Sequence, residues 1–202
     1  TVLTALPAGV GLSVLAEPIL LLLYPAVPDT ARAAAYHLTF LGLACVFVCL
    51  MVAANGVLQA YGHPLVPVLA LLCGGVLKVV TNYLMVGDPA TGIRGAAVST
   101  LYCYALIVLI DLIAIARLVP ERPGYIRLFA RPVLVTAVMA LAARSGYGLF
   151  CRVLPERWAV LPAIAVAAAV YGILALAVGA VTRTDVVTLP RGEKIADFLH
   201  LR

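Results

Sequence analysis

Apolar residues in this chain are gathered into six blocks, each about twenty residues long, and that length is the strongest constraint on its fold. As a helix rising ~1.5 Å per residue, such a block spans the ~30 Å hydrocarbon core of a bilayer. A soluble core of the same size would break into shorter runs. The blocks are continuously apolar, without the alternation in ~10-residue segments that marks membrane-barrel strands. Charged residues make up 11% of the 202, against roughly a quarter in an ordinary soluble domain. So few charges cannot cover a water-facing surface, and the mean hydropathy of +1.12 agrees. The sequence predicts an all-α, polytopic membrane protein with six transmembrane helices.

The first helix is predicted from Val2 to Tyr24, interrupted by Pro7 and Pro18, with a Pro-rich turn over Pro25 to Asp29. The second runs from Ala33 to Tyr61 and is broken by Gly62-His63-Pro64, and the third runs from Pro64 to Val86. Gly87 to Gly92 is a turn signal. The fourth helix runs from Gly95 to Val119, the fifth from Pro132 to Val153 with Arg144 interrupting it, and the sixth from Trp158 to Val181. In the tail from Thr182 to Arg202, Ile195, Phe198 and Leu199 share one helix face. They predict a short amphipathic helix on the membrane surface. The chain starts with Thr and its first apolar block begins at once, which suggests a piece whose N-terminal part is missing.

The net charge is +5. The basic residues lie mostly between apolar blocks, with no stripe of interleaved aromatics, so they point to topology and anionic lipid and not to nucleic acid. The loops after the second and fourth helices, together with the tail, carry more Arg and Lys than the loops on the other side. By the positive-inside rule the first helix starts in the cytoplasm and the C-terminus ends there. Cys45, Cys49, Cys73, Cys103 and Cys151 have no metal-type spacing and are expected in helix packing.

Four ionisable residues fall inside predicted spans: Glu17, Lys78, Asp111 and Arg144. Each costs ~2.5–3.5 kcal/mol at mid-helix on insertion scales, so such residues usually pair or line a water-filled path. In straight helices Glu17 and Lys78 lie at similar depth, ~10–12 Å below the outer surface. They could form a structural ion pair, face a common cavity or snorkel to the lipid edge. Asn82, one turn beyond Lys78, extends that polar stripe or hydrogen-bonds between helices. Asp111 lies toward the inner side, in reach of Arg117 or of water. Arg144 either snorkels or marks the end of its helix. His37 and His63 are expected at the interfaces. Pro18 beside Glu17 should bend the first helix, as in transporters with broken helices along the pathway or as plain packing. There is no Ser-His-Asp or Cys-His set, no paired carboxylates and no phosphate-binding loop, so no enzyme activity is expected.

Several stretches together resemble one family. Leu6-Pro7-Ala8-Gly9-Val10-Gly11-Leu12 and Leu15-Ala16-Glu17-Pro18-Ile19 resemble the ninth helix of the stage V sporulation protein B group. This group lies in the polysaccharide-exporter branch of the multidrug/oligosaccharidyl-lipid/polysaccharide flippase superfamily. Leu58-Gln59-Ala60-Tyr61-Gly62-His63-Pro64 resembles its "LQGxGxP" turn, carried by Gln59, Gly62 and Pro64. Lys78 to Leu84 is similar to its "K…NYxL" segment, Gly92 to Thr100 to its "GIxGAAxxT" helix start, and Asp185 with Leu189 to Lys194 to its "D…LPxGxK" tail. The order and spacing of these stretches, over nearly the whole chain, carry the likeness.

The resemblance implies the last six of about fourteen helices in a two-lobed, flippase-like fold. Residues 1–119 would be the last four helices of the C-terminal lobe, 120–181 an appended pair, and 182–202 a cytoplasmic tail. In the related MurJ-type lipid II flippases the appended pair forms a groove for the lipid tail. The implied activity is export of lipid-linked oligosaccharide or cell-wall and polysaccharide precursors across the cytoplasmic membrane by alternating access. The implied partners are the bilayer, that lipid-linked sugar and the missing N-terminal lobe. No cofactor is implied beyond H+ or Na+ coupling. Substrate-pathway candidates in this half are Glu17, Lys78, Asn82, Arg94 and Asp111. The alternatives are a drug/cation antiporter of the same superfamily with Glu17 as the coupling carboxylate, a membrane-embedded glycosyl-lipid enzyme, and a scaffold.

Overall fold

Pro18 breaks the first apolar block outright. In the computed structural model, which describes residues 1–87, 92–120 and 125–177, this block is two helices, α1 (Val2–Val14) and α2 (Ala16–Leu23). They are bent by 71° at Leu15, whose backbone (φ −101°, ψ 19°) belongs to neither. Pro18 is the third residue of α2, where a missing N–H removes no intrahelical hydrogen bond. Glu17 sits in the same first turn, where a carboxylate complements the helix dipole.

The other helices are α3 (Pro28–Ala60), α4 (Leu65–Val86), α5 (Arg94–Leu118), α6 (Tyr125–Phe150) and α7 (Glu156–Ala177). These five are long and apolar enough to cross a membrane, and α1 with α2 makes a sixth span if the bent pair is counted as one. The chain is an all-α, multi-pass membrane protein. α4 and α5 lie within a residue of their predicted starts and ends. α3 begins at Pro28, five residues before its predicted start, because proline at a first helical position continues forward without strain. Its 33 residues reach about 50 Å, well beyond a ~30 Å hydrocarbon core, so its ends project from the bilayer. α6 begins at Tyr125 and runs on past Arg144, so Arg144 does not end its helix. The predicted tail helix, in 182–202, lies outside the described residues.

α3 stops where the Gln59/Gly62/Pro64 turn was read. Gly62 has φ +80°, its N–H donates to Gln59 O (3.0 Å), and the His63 N–H donates to Leu58 O (2.9 Å). This is a Schellman cap, with the positive φ supplied by glycine. Pro64 then leads into α4. The motif is a helix stop that separates α3 from α4.

The helices lie in a row: α4 beside α5, α5 beside α3, α3 beside α1 and α2, and these beside the α6–α7 pair. Among the described residues nothing joins α4 or α5 to α6 or α7, so the row is open. Among the described residues α6 and α7 pack their helix backbones against α1 and α2, with α1 meeting mainly α6 and α2 meeting α7. The α1–α3 seam is backbone against backbone. A Cβ on Gly9 would lie 2.6 Å from Gly42 O, and one on Gly42 would lie 2.9 Å from Gly9 O. Ser13 Oγ donates to Thr39 O (2.6 Å), and Thr39 Oγ1 faces Ser13 O (3.3 Å) and Ala35 O (2.9 Å). Small residues that allow close approach, with hydroxyls bridging backbones, are the usual means of holding helices together in lipid, where apolar burial between helices gains little.

Candidate functional site

Two cavities flank the broken helix. On one side a polar cavity of about 490 Å³ lies among α1, α2, α3 and α6, lined by Ser13, Glu17, Arg32, Tyr36, Thr39 and Arg144. On the other an apolar groove of about 500 Å³ runs between α1 and the α6–α7 pair, lined by residues such as Leu12, Leu15, Ile19, Met139, Ile164 and Ala168. The chain changes face at the bend: Leu15 and Ile19 turn to the groove, while Ser13 and Glu17 turn to the polar side.

Arg32, one turn into α3, organises the polar side. Its guanidinium lies 3.5 Å from Glu17, 3.8 Å from Glu156 on α7 and 3.9 Å from Asp29. The Arg32 and Glu17 side chains are 51% and 55% exposed, so each contact is worth little alone, but the fork ties α2, α3 and α7 together. Arg94, at the first position of α5, sits 5.2 Å above the Tyr36 ring in a cation–π contact. Arg32 and Arg144 therefore line the polar cavity with Glu17, and Arg94 reaches its wall through Tyr36.

This corrects the neighbour expected of Glu17. A straight span would set it beside Lys78, but the bend turns α2 aside and brings Glu17 to the first turns of α3. Its partner is Arg32, not Lys78, and α2 makes no contact with α4. Lys78 is half-buried on α4, whose neighbours are α5 and α3. Asn82, one turn on, accepts a hydrogen bond from Ser99 Oγ on α5, which is fully buried, so its polar group joins two helices.

Asp111 neither pairs with Arg117 nor faces the solvent. It is wholly buried (0% exposed), and its Oδ1 has no hydrogen-bond partner. Its Oδ2 lies 3.2 Å from the Asn55 carboxamide on α3, which also faces Met51 O at 3.3 Å; with Nδ2 turned toward them, Asn55 donates to both. His37 is nine residues inside α3 with Nε2 buried and unpartnered, so it is not at a helix end. All five cysteines are free; Cys103 is packed inside, whereas Cys45 and Cys73 face outward, away from the expected helix interfaces.

Sequence reasoning passed over three residues that the fold uses. Arg32 falls before the predicted start of the second helix and reads there only as a loop charge. Asn55 lies in an unbroken apolar run and gave no signal. Tyr171 Oη donates to Leu3 O (2.6 Å), the carbonyl that would bond the N–H of residue 7 in a regular helix. Residue 7 is proline and has none, so an orphan carbonyl was legible at Leu3 although its donor was not.

No family model matches the chain, and no solved structure matches it. It is 26% identical over 204 residues to "Uncharacterized membrane protein YabM" of Bacillus subtilis (strain 168), an alignment that covers 96% of this chain and 36% of that protein. The chain thus spans about a third of the length of the curated relative it matches.

Proposed function

We propose that this chain is the C-terminal portion of a membrane flippase or exporter that moves lipid-linked oligosaccharide or cell-wall and polysaccharide precursors across the cytoplasmic membrane by alternating access. The observation that carries the proposal is the pairing of a polar, arginine-bearing cavity with an apolar groove on opposite sides of one broken helix. A lipid-linked sugar phosphate has an anionic, hydroxyl-rich head and a long hydrocarbon tail. Arg32 and Arg144 offer cationic donors to the first, beside the polar wall of Ser13 and Thr39, and Leu12, Ile19 and Ile164 offer a dry wall to the second. Broken helices beside the binding cavity are a recurring element of transporters. The ordered family motifs along the chain, and its match to one segment of a much longer membrane protein, agree with this assignment. The engagement of Glu17 by Arg32 argues against Glu17 as a free coupling carboxylate, and so against the antiporter reading.

The test is flipping of a fluorescent lipid-linked sugar in proteoliposomes by the full-length protein. Arg144→Glu should lower the rate by reversing charge in the polar cavity. Ala168→Trp should lower it by filling the groove. The 202-residue chain alone should give none. Flipping that is unchanged in both variants, or full activity from this chain alone, would refute the proposal.

A further inference from the structure

Asp111 carries more than its packing requires. It sits on α5 between two apolar clusters, with Cys103 and Ile107 on one side and Ile115 and Leu58 on the other. Among the described residues Asn55 supplies the one polar side chain that meets it, and that contact serves Oδ2 alone. The charged residues of the three helices in contact here are Asp29 and Arg32 on α3, Lys78 on α4, and Arg94 and Arg117 on α5; none forms an ion pair with Asp111. Lys78 lies beside Cys103, two turns of α5 away. The other titratable side chain in the clusters around Asp111 is Tyr104, also two turns away along α5.

We infer that Asp111, with Asn55 as its positioning partner, is a proton-binding site whose occupancy is tied to closure of the α3–α5 seam. The bare oxygen sets the location. An ionised carboxylate here would hold charge on Oδ1 with no donor or cation to receive it, which is the costliest way to bury an acid. A hydroxyl at Oδ1 leaves only a neutral polar group unpaired, while Asn55 Nδ2 still donates to the carbonyl oxygen Oδ2. The closed seam therefore holds the acid form. Loading forms the Oδ1–H bond, takes the proton from hydronium and leaves one water. Release returns the proton to water, and it requires α3 and α5 to part so that water reaches the carboxylate. Proton release and seam opening are then one event, whatever cargo the protein carries. This conclusion does not depend on the proposed substrate.

Infrared difference spectroscopy of the full chain in nanodiscs tests this between neutral and strongly alkaline pH. The expected result is a protonated-carboxyl C=O band at neutral pH that shifts with isotope-labelled aspartate, disappears in Asp111→Asn and does not respond to Na+ at constant pH. Asn55→Leu should move the same band to higher frequency, because Oδ2 loses its donor; this variant keeps the test informative if Asp111→Asn fails to fold. A band retained in Asp111→Asn, a purely ionised aspartate signal at neutral pH, or a band that moves with Na+ at fixed pH would each overturn the inference, the last in favour of a metal-cation site.

Discussion

The α1–α3 seam yields a quantitative prediction through Gly9→Ala. An ideal Cβ at Gly9 falls 2.4 Å from Val46 Cγ2 and 2.6 Å from Gly42 O, where ordinary contacts need ~3.5–4.0 Å. The two neighbours differ in what they can yield. Val46 is β-branched and stiff at χ1 in a helix, so turning its methyl away costs of order 0.5–1.5 kcal/mol. The Gly42 carbonyl belongs to the α3 backbone and cannot turn without loosening its helix, so α1 and α3 must separate by up to about an ångström. That motion also lengthens the 2.6 Å Ser13–Thr39 hydrogen bond. Overpacking of this kind costs about 1–3 kcal/mol. Adding Val46→Ala should recover only the side-chain part. The control is Gly75→Ala, where nothing lies within 4 Å of the new methyl; helix propensity then predicts neutrality or a gain of up to ~1 kcal/mol. Reversible unfolding of the purified chain by denaturing detergent, followed by circular dichroism, measures all three. The reasoning is wrong if Gly9→Ala unfolds with the same free energy as Gly75→Ala, or if Val46→Ala restores all of the loss.

Four further substitutions separate the remaining contacts. Tyr171→Phe leaves the Leu3 carbonyl, already orphaned by Pro7, without its donor, and should cost about 0.6–1.7 kcal/mol in the same unfolding assay. Asn82→Leu should cost a similar ~0.6–1.7 kcal/mol by removing the acceptor of Ser99, and Ser99→Ala made on top of it should add little, a double-mutant cycle that detects their coupling. Arg32→Gln should change stability by less than ~1 kcal/mol, because its ion pairs are half exposed, but should increase cross-linking mobility between α2 and α7, read by paired cysteines at those helices.

The number of apolar spans, six with the bent pair counted as one, and the limits of α4 and α5 were readable from the sequence because hydrocarbon thickness sets block length, and Gly62, Pro64 and the Gly-rich turn signal before Arg94 punctuate the blocks. What the sequence hid was direction. Pro7 and Pro18 look alike as interruptions, yet Pro7 remains inside α1 and Pro18 starts a new helix, because an outside donor, Tyr171, relieves the first and Leu15 leaves helical geometry before the second. Depth estimates that assumed a straight axis then placed Glu17 opposite Lys78, whereas a 71° turn carries it to Arg32. Asp111 was recognised as anomalous, but its partner was not, since Asn55 is one polar residue in a long apolar helix and only tertiary packing selects it.

The bend at Leu15 divides its neighbours as well as its own axis. The segment before it rests on α6 and the segment after it on α7, while α6 and α7 rest on each other. A change of angle at that single residue therefore cannot stay local. Any rotation there would have to be shared with the two outer helices along their common interface, and it would reach both the groove they form with α1 and the polar mouth that holds Glu17.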